Sequence, residues 1–373
     1  MKSRIAIACL TFAGFATAGF LWRVSPVHGA TATSSTHWSP QAAAGYLDAR
    51  EVWWQQWPRA QKDHGTLCIS CHTVLPYAMA RPALHGALHE TAPAAPEKIM
   101  MDSVEKRVSN WSEMVPFYSD EKSGPGKTVE SHATEAVLNA VILAAYDARH
   151  GRLRPITRTA FDAAWKLQLT ADDNAGGWQW QDFHLGPWES SQSAYQGAAL
   201  LLYEVGNAPG HYATDPSARP HIEQLREYIR RQYKAQPLMN QLYVLWASTK
   251  NPGLLTKDER KTLLTRLKES QQPDGGWRLA SLTDWKRVDN SAVPTESDGF
   301  ATSLAVLVME ESGEGRRYPS LQRGLVWIEQ NQQKEGNWPA ASMNKQRDPA
   351  SDASRFMSDA ATGYAVLALE KAR

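Results

Sequence analysis

The chain has 373 residues and a formal net charge of +1. That length is ample for a large hydrophobic core, and the near-neutral balance gives no electrostatic case for nucleic acid or an anionic surface. Three cysteines are too few for a disulfide framework.

Residues 1–32 read as an export signal. Lys2 and Arg4 open it, an apolar uncharged run follows from Ile5 to Trp22, and Ala30-Thr31-Ala32 offers a cleavage site. The expected location is periplasmic or extracytoplasmic, with a membrane contact only if the leader stays attached. Its removal takes Cys9 and leaves Cys68 and Cys71.

Residues 33–101 form the next segment. Ser39-Pro40 gives a cap residue and a first-turn proline, so a helix is expected over 41–62. Trp53, Trp54 and Trp57 cluster at helical spacing near its end. Then comes Cys68-Ile69-Ser70-Cys71-His72. Two thiols followed at once by an imidazole form the attachment pattern of c-type haem, with Cys68 and Cys71 as thioether anchors and His72 as the proximal iron ligand. Met79, His85, His89, Met100 and Met101 are candidates for the distal position, with Met114 further on. His85 and His89 also complete a zinc-finger spacing, but Pro76 and Pro82 interrupt the helix a finger needs. A thioredoxin-like dithiol would need a strand-helix-strand setting, which the pattern lacks. Thr73 to Pro96, rich in Pro, Ala and His, reads as irregular.

Residues 102–373 repeat a helical hairpin. Lys166-Leu-Gln-Leu leads to Gly176-Gly177-Trp178, Leu267-Lys-Glu-Ser-Gln-Gln to Gly275-Gly276-Trp277, and Leu325-Val-Trp-Ile-Glu-Gln to Gly336-Asn337-Trp338. After each comes an irregular stretch and a helix of small apolar residues, beginning near Ala194, Phe300 and Ala360. An earlier copy starts at Glu130, and a degenerate one without the Gly-Gly-Trp turn lies around Tyr228 to Ser248. A helix apolar on most sides must be buried on most sides, so the hairpins must stack. Glycine permits the turn, and each Trp fills the corner.

The Gln…Gly-x-Trp corners resemble the QW repeats of squalene-hopene and oxidosqualene cyclases, within the terpenoid cyclase and prenyltransferase superfamily. The resemblance covers roughly Asp102 to Arg373 and implies an α/α toroid. It does not bring the activity with it: the Asp-x-Asp-Asp motif of those cyclases is missing, and Asp172-Asp173 reads as a polar turn. Glu130, Glu189, Glu296 and Asp359 recur at the starts of the apolar helices, where negative charge suits the helix dipole. Together with His132, Gln192 and Tyr195 they are candidates for lining one mouth of the toroid. Asn174, Trp180, His184 and Trp188 flank that region.

The fold expected is therefore all-α, an α/α toroid of helical hairpins preceded by a short cytochrome c-like haem segment. The function expected is that of an exported monohaem c-type cytochrome with one covalent haem c, transferring electrons to a redox partner protein. The toroid would hold that partner or an apolar small molecule. The alternative is a haem-dependent oxidoreductase or cyclase-like enzyme acting on a lipid or isoprenoid. No catalytic residue is assignable from the sequence.

Overall fold

The computed structural model describes residues 38–119, 122, 124–315 and 318–373; the expected leader, with Cys9, lies outside them. Residues 36–373 fall in one compact unit. In chain order the described residues form α1 Pro40–Gln56, β1 Gln61–Lys62, β2 Thr66–Leu67, α2 Val74–Ala80, α3 His85–Leu88, α4 Ala95–Ser109, α5 Gly124–His150, α6 Pro155–Lys166, α7 Ser193–Asn207, α8 Arg219–Gln232, α9 Leu238–Ser248, α10 Lys257–Ser270, α11 Leu279–Leu282, α12 Gly299–Glu311, α13 Pro319–Asn331 and α14 Phe356–Lys371. No described helix is long and apolar enough to cross a membrane.

Local chemistry sets the helix ends. The Ser39 side chain accepts from Ala42 N ahead of Pro40, and α1 stops at Gln56 because Trp57 precedes a proline. Thr256 and Glu259 form a reciprocal capping box on α10. Asp298 caps α12 by accepting from Phe300 N and Ala301 N.

Six helices close a ring. α2 packs on α5, α5 on α7, α7 on α9, α9 on α12, α12 on α14, and α14 back on α2. These inner helices are the small, apolar ones: every residue of α12 from Gly299 to Met309 is buried, and every residue of α9. Small residues set the spacing. A Cβ on Gly363 would sit 2.7 Å from Pro76 Cβ, and one on Gly197 would sit 2.2 Å from the Trp180 ring. Outside lie α1, α4, α6, α8, α10 and α13. They are amphipathic, and α10 buries only Leu263 and Leu267.

The repeated corners have a definite job. Gln168, Gln271 and Gln332 each donate to the carbonyl of their own glycine turn, at Gly176, Gly275 and Gly336. The same amide nitrogen donates to the start of the next outer helix, at His221 O, Ser320 O and Ser39 O. The glycine then sits against that next helix: a Cβ on Gly336 would lie 1.9 Å from Ala42 O. The Trp of each corner plugs the gap and donates back to its own outer helix, from Trp178 to Ala164 O, Trp277 to Leu267 O and Trp338 to Ile328 O.

The last corner thereby joins α13 to α1. The segment expected to be cytochrome-like is instead a hairpin of the ring, α1 outside and α2 inside, and the boundary drawn at 101/102 falls within α4. Thr73 to Pro96, expected to be irregular, carries α2, a 3-10 turn at Arg81–Leu84 and α3. The cytochrome c-like part of the expected fold is corrected on these grounds. The α/α toroid stands.

Candidate functional site

A cleft of about 440 Å³ opens where loops approach the N-terminal ends of α2, α5, α7 and α14. Its wall has three kinds of residue. Trp53, Trp57, Phe117, Trp188 and Phe356 present rings, Glu189 and Asp352 present carboxylates, and Arg59, Gln181, Asn344 and Arg347 present other polar groups. Ligand sites favour such mixtures of apolar surface with a few directed polar groups.

The end of α1 supplies an aromatic platform. The Trp53 and Trp57 rings stack, with centroids 5.3 Å apart and planes 21° from parallel. Trp54 lines the cleft with them and ties the wall down by donating Nε1 to Cys68 O at 2.7 Å. The Arg50 guanidinium covers the Trp53 face at 4.4 Å.

The loop between Trp178 and Ser193 supplies Gln181 and Glu189. It is held as a unit. Glu189 N donates to Leu185 O, and Leu185 N and Phe183 N return bonds to Glu189 O. Trp180 Nε1 donates to Trp188 O at 2.9 Å. Gln181 N donates to Thr134 Oγ1 of α5, and Asp182 N to Glu130 Oε2. Burial raises the Glu189 carboxyl above its ordinary pKa, opposed by the charge of Arg347. The Gln181 side chain is buried, and its amide oxygen and nitrogen are sealed from water without a hydrogen-bond partner. Each such orphan costs about 1–3 kcal/mol.

Behind the cleft runs a buried polar chain. Asp359 Oδ1 accepts from Tyr46 OH and from Arg50 Nε, both at 2.8 Å, and Oδ2 accepts from Thr73 Oγ1 at 2.7 Å. Arg50 also reaches Asp352 Oδ1 at 3.0 Å. The Thr73 hydroxyl gives its proton to Asp359, so the bond of 2.9 Å between Thr73 Oγ1 and His72 Nδ1 has His72 as donor. Burial and the charges of Arg50 and Arg347 push His72 down to about 3, which keeps the imidazole neutral.

Cys68, Cys71 and His72 do come together in the cleft wall. Burial pushes the Cys68 thiol up to about 12, and Cys71 upward too. The His72 ring lies face to face on Phe356, with centroids 3.7 Å apart. None of the five distal candidates lines this cleft. Met79 is buried and faces a small cavity at the opposite mouth of the ring. His85 Nε2 is 2.8 Å from Glu97 Oε2. His85, Met100 and Met101 line a separate groove of about 820 Å³ beside α4. His89 terminates α3 in the left-handed conformation. Met114, also buried, is not in the cleft wall. Among the described residues no group of three or more His, Cys, Asp and Glu is placed to hold a metal ion.

The acids expected at one mouth separate. Glu189 is in the cleft and Asp359 is behind it. Glu130 bonds Lys127 and the Gln181 loop, and Glu296 is exposed. His132 stacks on Trp111, Tyr195 bonds Ile229 O, and His184 is exposed. Asp172 takes the left-handed turn conformation expected of a polar turn. Sequence reasoning missed Gln181, Asn344, Arg347, Asp352 and Phe356. The one signal for Asn344, Arg347 and Asp352 was loop length, since the stretch between Trp338 and Phe356 is long for a hairpin connection.

Comparison with known proteins then fixes the architecture. The α-1,6-mannanase GH76A of Salegentibacter sp. HEL1_6 superposes with a TM-score of 0.50 at 9% identity, over 89% of this chain and 100% of its own. The fold is an α/α toroid. A possible GH105 member from Klebsiella pneumoniae gives 0.45 at 13% identity over 95% and 99%, and a glycosidase in complex with glucose gives 0.49 at 12% over 89% and 98%. No family model and no curated protein matches the chain.

Two expectations are thereby corrected. The structure that superposes at 0.50 is an α-1,6-mannanase, not one of the terpenoid cyclases that the corners resemble. The mannanase-like fold also runs through the segment assigned to a cytochrome, and no distal ligand faces His72. The covalent haem c, its iron and the electron-transfer role are withdrawn. So is the alternative of haem or cyclase chemistry on a lipid or isoprenoid, because arginine, amide and carboxylate groups interrupt the apolar wall.

Proposed function

We propose that the cleft binds a saccharide and hydrolyses a glycosidic bond. The observation that carries this reading is Glu189: a half-buried carboxyl with a raised pKa, in the same cleft wall as a second carboxylate and the stacked Trp rings. Sugar rings present apolar C–H faces that suit aromatic platforms, and hydroxyls that suit amide and guanidinium groups. Glycosidases use one carboxylic acid to protonate the leaving oxygen and one carboxylate to act at the anomeric carbon. Glu189 fills the first role and Asp352, ion-paired with Arg50, the second. The glycosidic C–O bond breaks and the departing oxygen takes the Glu189 proton. Water supplies the new C–O bond, with its proton passing to a carboxylate. The α-1,6-mannanase that shares the toroid is itself a glycosidase, which supports this reading.

The test is reducing-end release from α-1,6-mannan, starch, cellulose and pectin fragments by the purified full chain. Turnover on one of these, abolished by Asp352→Asn, supports the proposal. Failure on all of them counts against it.

A further inference from the structure

We infer that Gln181 is the residue that reads the sugar, its amide gripping two adjacent ring hydroxyls. This rests on the saccharide reading of the cleft and goes beyond it by naming the specificity determinant and the group recognised.

A primary amide offers one acceptor and two donors side by side, and vicinal hydroxyls offer the complementary pair. Gln181 lies in the cleft wall with both ends of its amide unanswered. The surrounding hydroxyls are engaged. Thr134 Oγ1 accepts from the Gln181 backbone, and Ser131 Oγ donates to Thr128 O. The backbone is held in place, because Gln181 N and Asp182 N donate to Thr134 and Glu130 of α5. Buried polar groups in native proteins are nearly always paired, so this covered, unpaired amide in the cleft wall points to a partner gained when a turn of its side chain presents it to the bound ligand. The same loop carries Glu189, so an amide bonded to ring hydroxyls would hold the sugar in register with the acid. A site built to bond hydroxyls rejects an analogue lacking one far more strongly than an apolar pocket rejects a methylene.

The experiment uses Gln181→Met, which keeps the volume and removes the amide, with Gln181→Asn as a second variant. Binding of α-1,6-mannotriose, maltotriose, cellotriose and xylotriose is followed by tryptophan fluorescence, together with the monodeoxy analogues of whichever binds. Wild type should bind the parent sugar at least tenfold more tightly than one deoxy analogue. Gln181→Met should bind both alike. The empty Gln181→Met protein should melt about 1–2 °C higher than wild type, because an orphan has been removed. Equal parent-sugar affinity in wild type and Gln181→Met, or a fall of more than about 2 °C in the empty variant, overturns the inference and leaves the saccharide reading intact. If no trisaccharide binds wild type, the saccharide reading falls and takes the inference with it.

Discussion

Arg50 on the first outer helix donates Nε to Asp359 on the last inner helix at 2.8 Å, both side chains being almost fully buried. The two residues are 309 apart in the chain. Their bond staples the ends of the toroid together directly behind the cleft.

Arg50→Met strands the buried Asp359 carboxylate and should lower the unfolding free energy by about 3–5 kcal/mol. Asp359→Ala leaves Arg50 its bond to Asp352 and should cost less. The double variant should lose less than the sum, because neither charge is then left alone. Urea unfolding of the four proteins checks this; additive losses would mean the two residues act independently.

Ring closure gives a second prediction. Gly336 has φ +97° and faces Ala42 O, whereas Gly65 has φ +64° and open space around it. Gly336→Ala should cost about 3 kcal/mol or more through strain and overlap. Gly65→Ala should cost only about 1 kcal/mol. Thermal unfolding of the pair separates closure from turn strain.

These two cases show what the sequence made legible. Gly176, Gly275 and Gly336, the glutamines before them and the Trp residues after them repeat at short range, so the toroid could be read from local spacing. That Gln332 reaches Ser39 could not, because α1 carries no corner of its own and its partner lies at the far end of the chain. The cleft was still less legible. Cys-x-x-Cys-His is a short motif that local spacing alone cannot assign, and packing turns Met79, His85 and Met100 away from the cleft. Gln181 and Arg347 sit on irregular loops and Asp352 opens a short 3-10 turn before α14, where side chains carry no periodicity to betray their direction.

Stability should also depend on pH in a defined direction. Burial raises Glu204 to about 7 and Glu51 to about 8, from the 4.5 of an unfolded chain. The native state holds these protons after the unfolded chain has released them. Their contribution is unchanged below about 4.5 and then destabilises progressively as pH rises through the native values. Glu204→Gln and Glu51→Gln should each gain stability relative to wild type between pH 5 and 8, by on the order of 3 kcal/mol. Guanidinium unfolding at several pH values checks it; a difference that does not change with pH would place no raised carboxyl at these sites.

The Trp53–Trp57 platform should act on binding and not on chemistry. Trp57→Ala should raise KM about tenfold, roughly 1.4 kcal/mol, and leave kcat within about twofold. A fall in kcat with unchanged KM would move Trp57 from the binding surface to the reacting atoms.

The most direct measurement is the pH profile of saccharide hydrolysis for wild type and Glu189→Gln. The acid assigned to Glu189 predicts wild-type activity that declines as pH rises past its elevated pKa, and a loss of about 10²–10⁴-fold in the variant. A variant that keeps wild-type turnover, with the same alkaline limb, would contradict it.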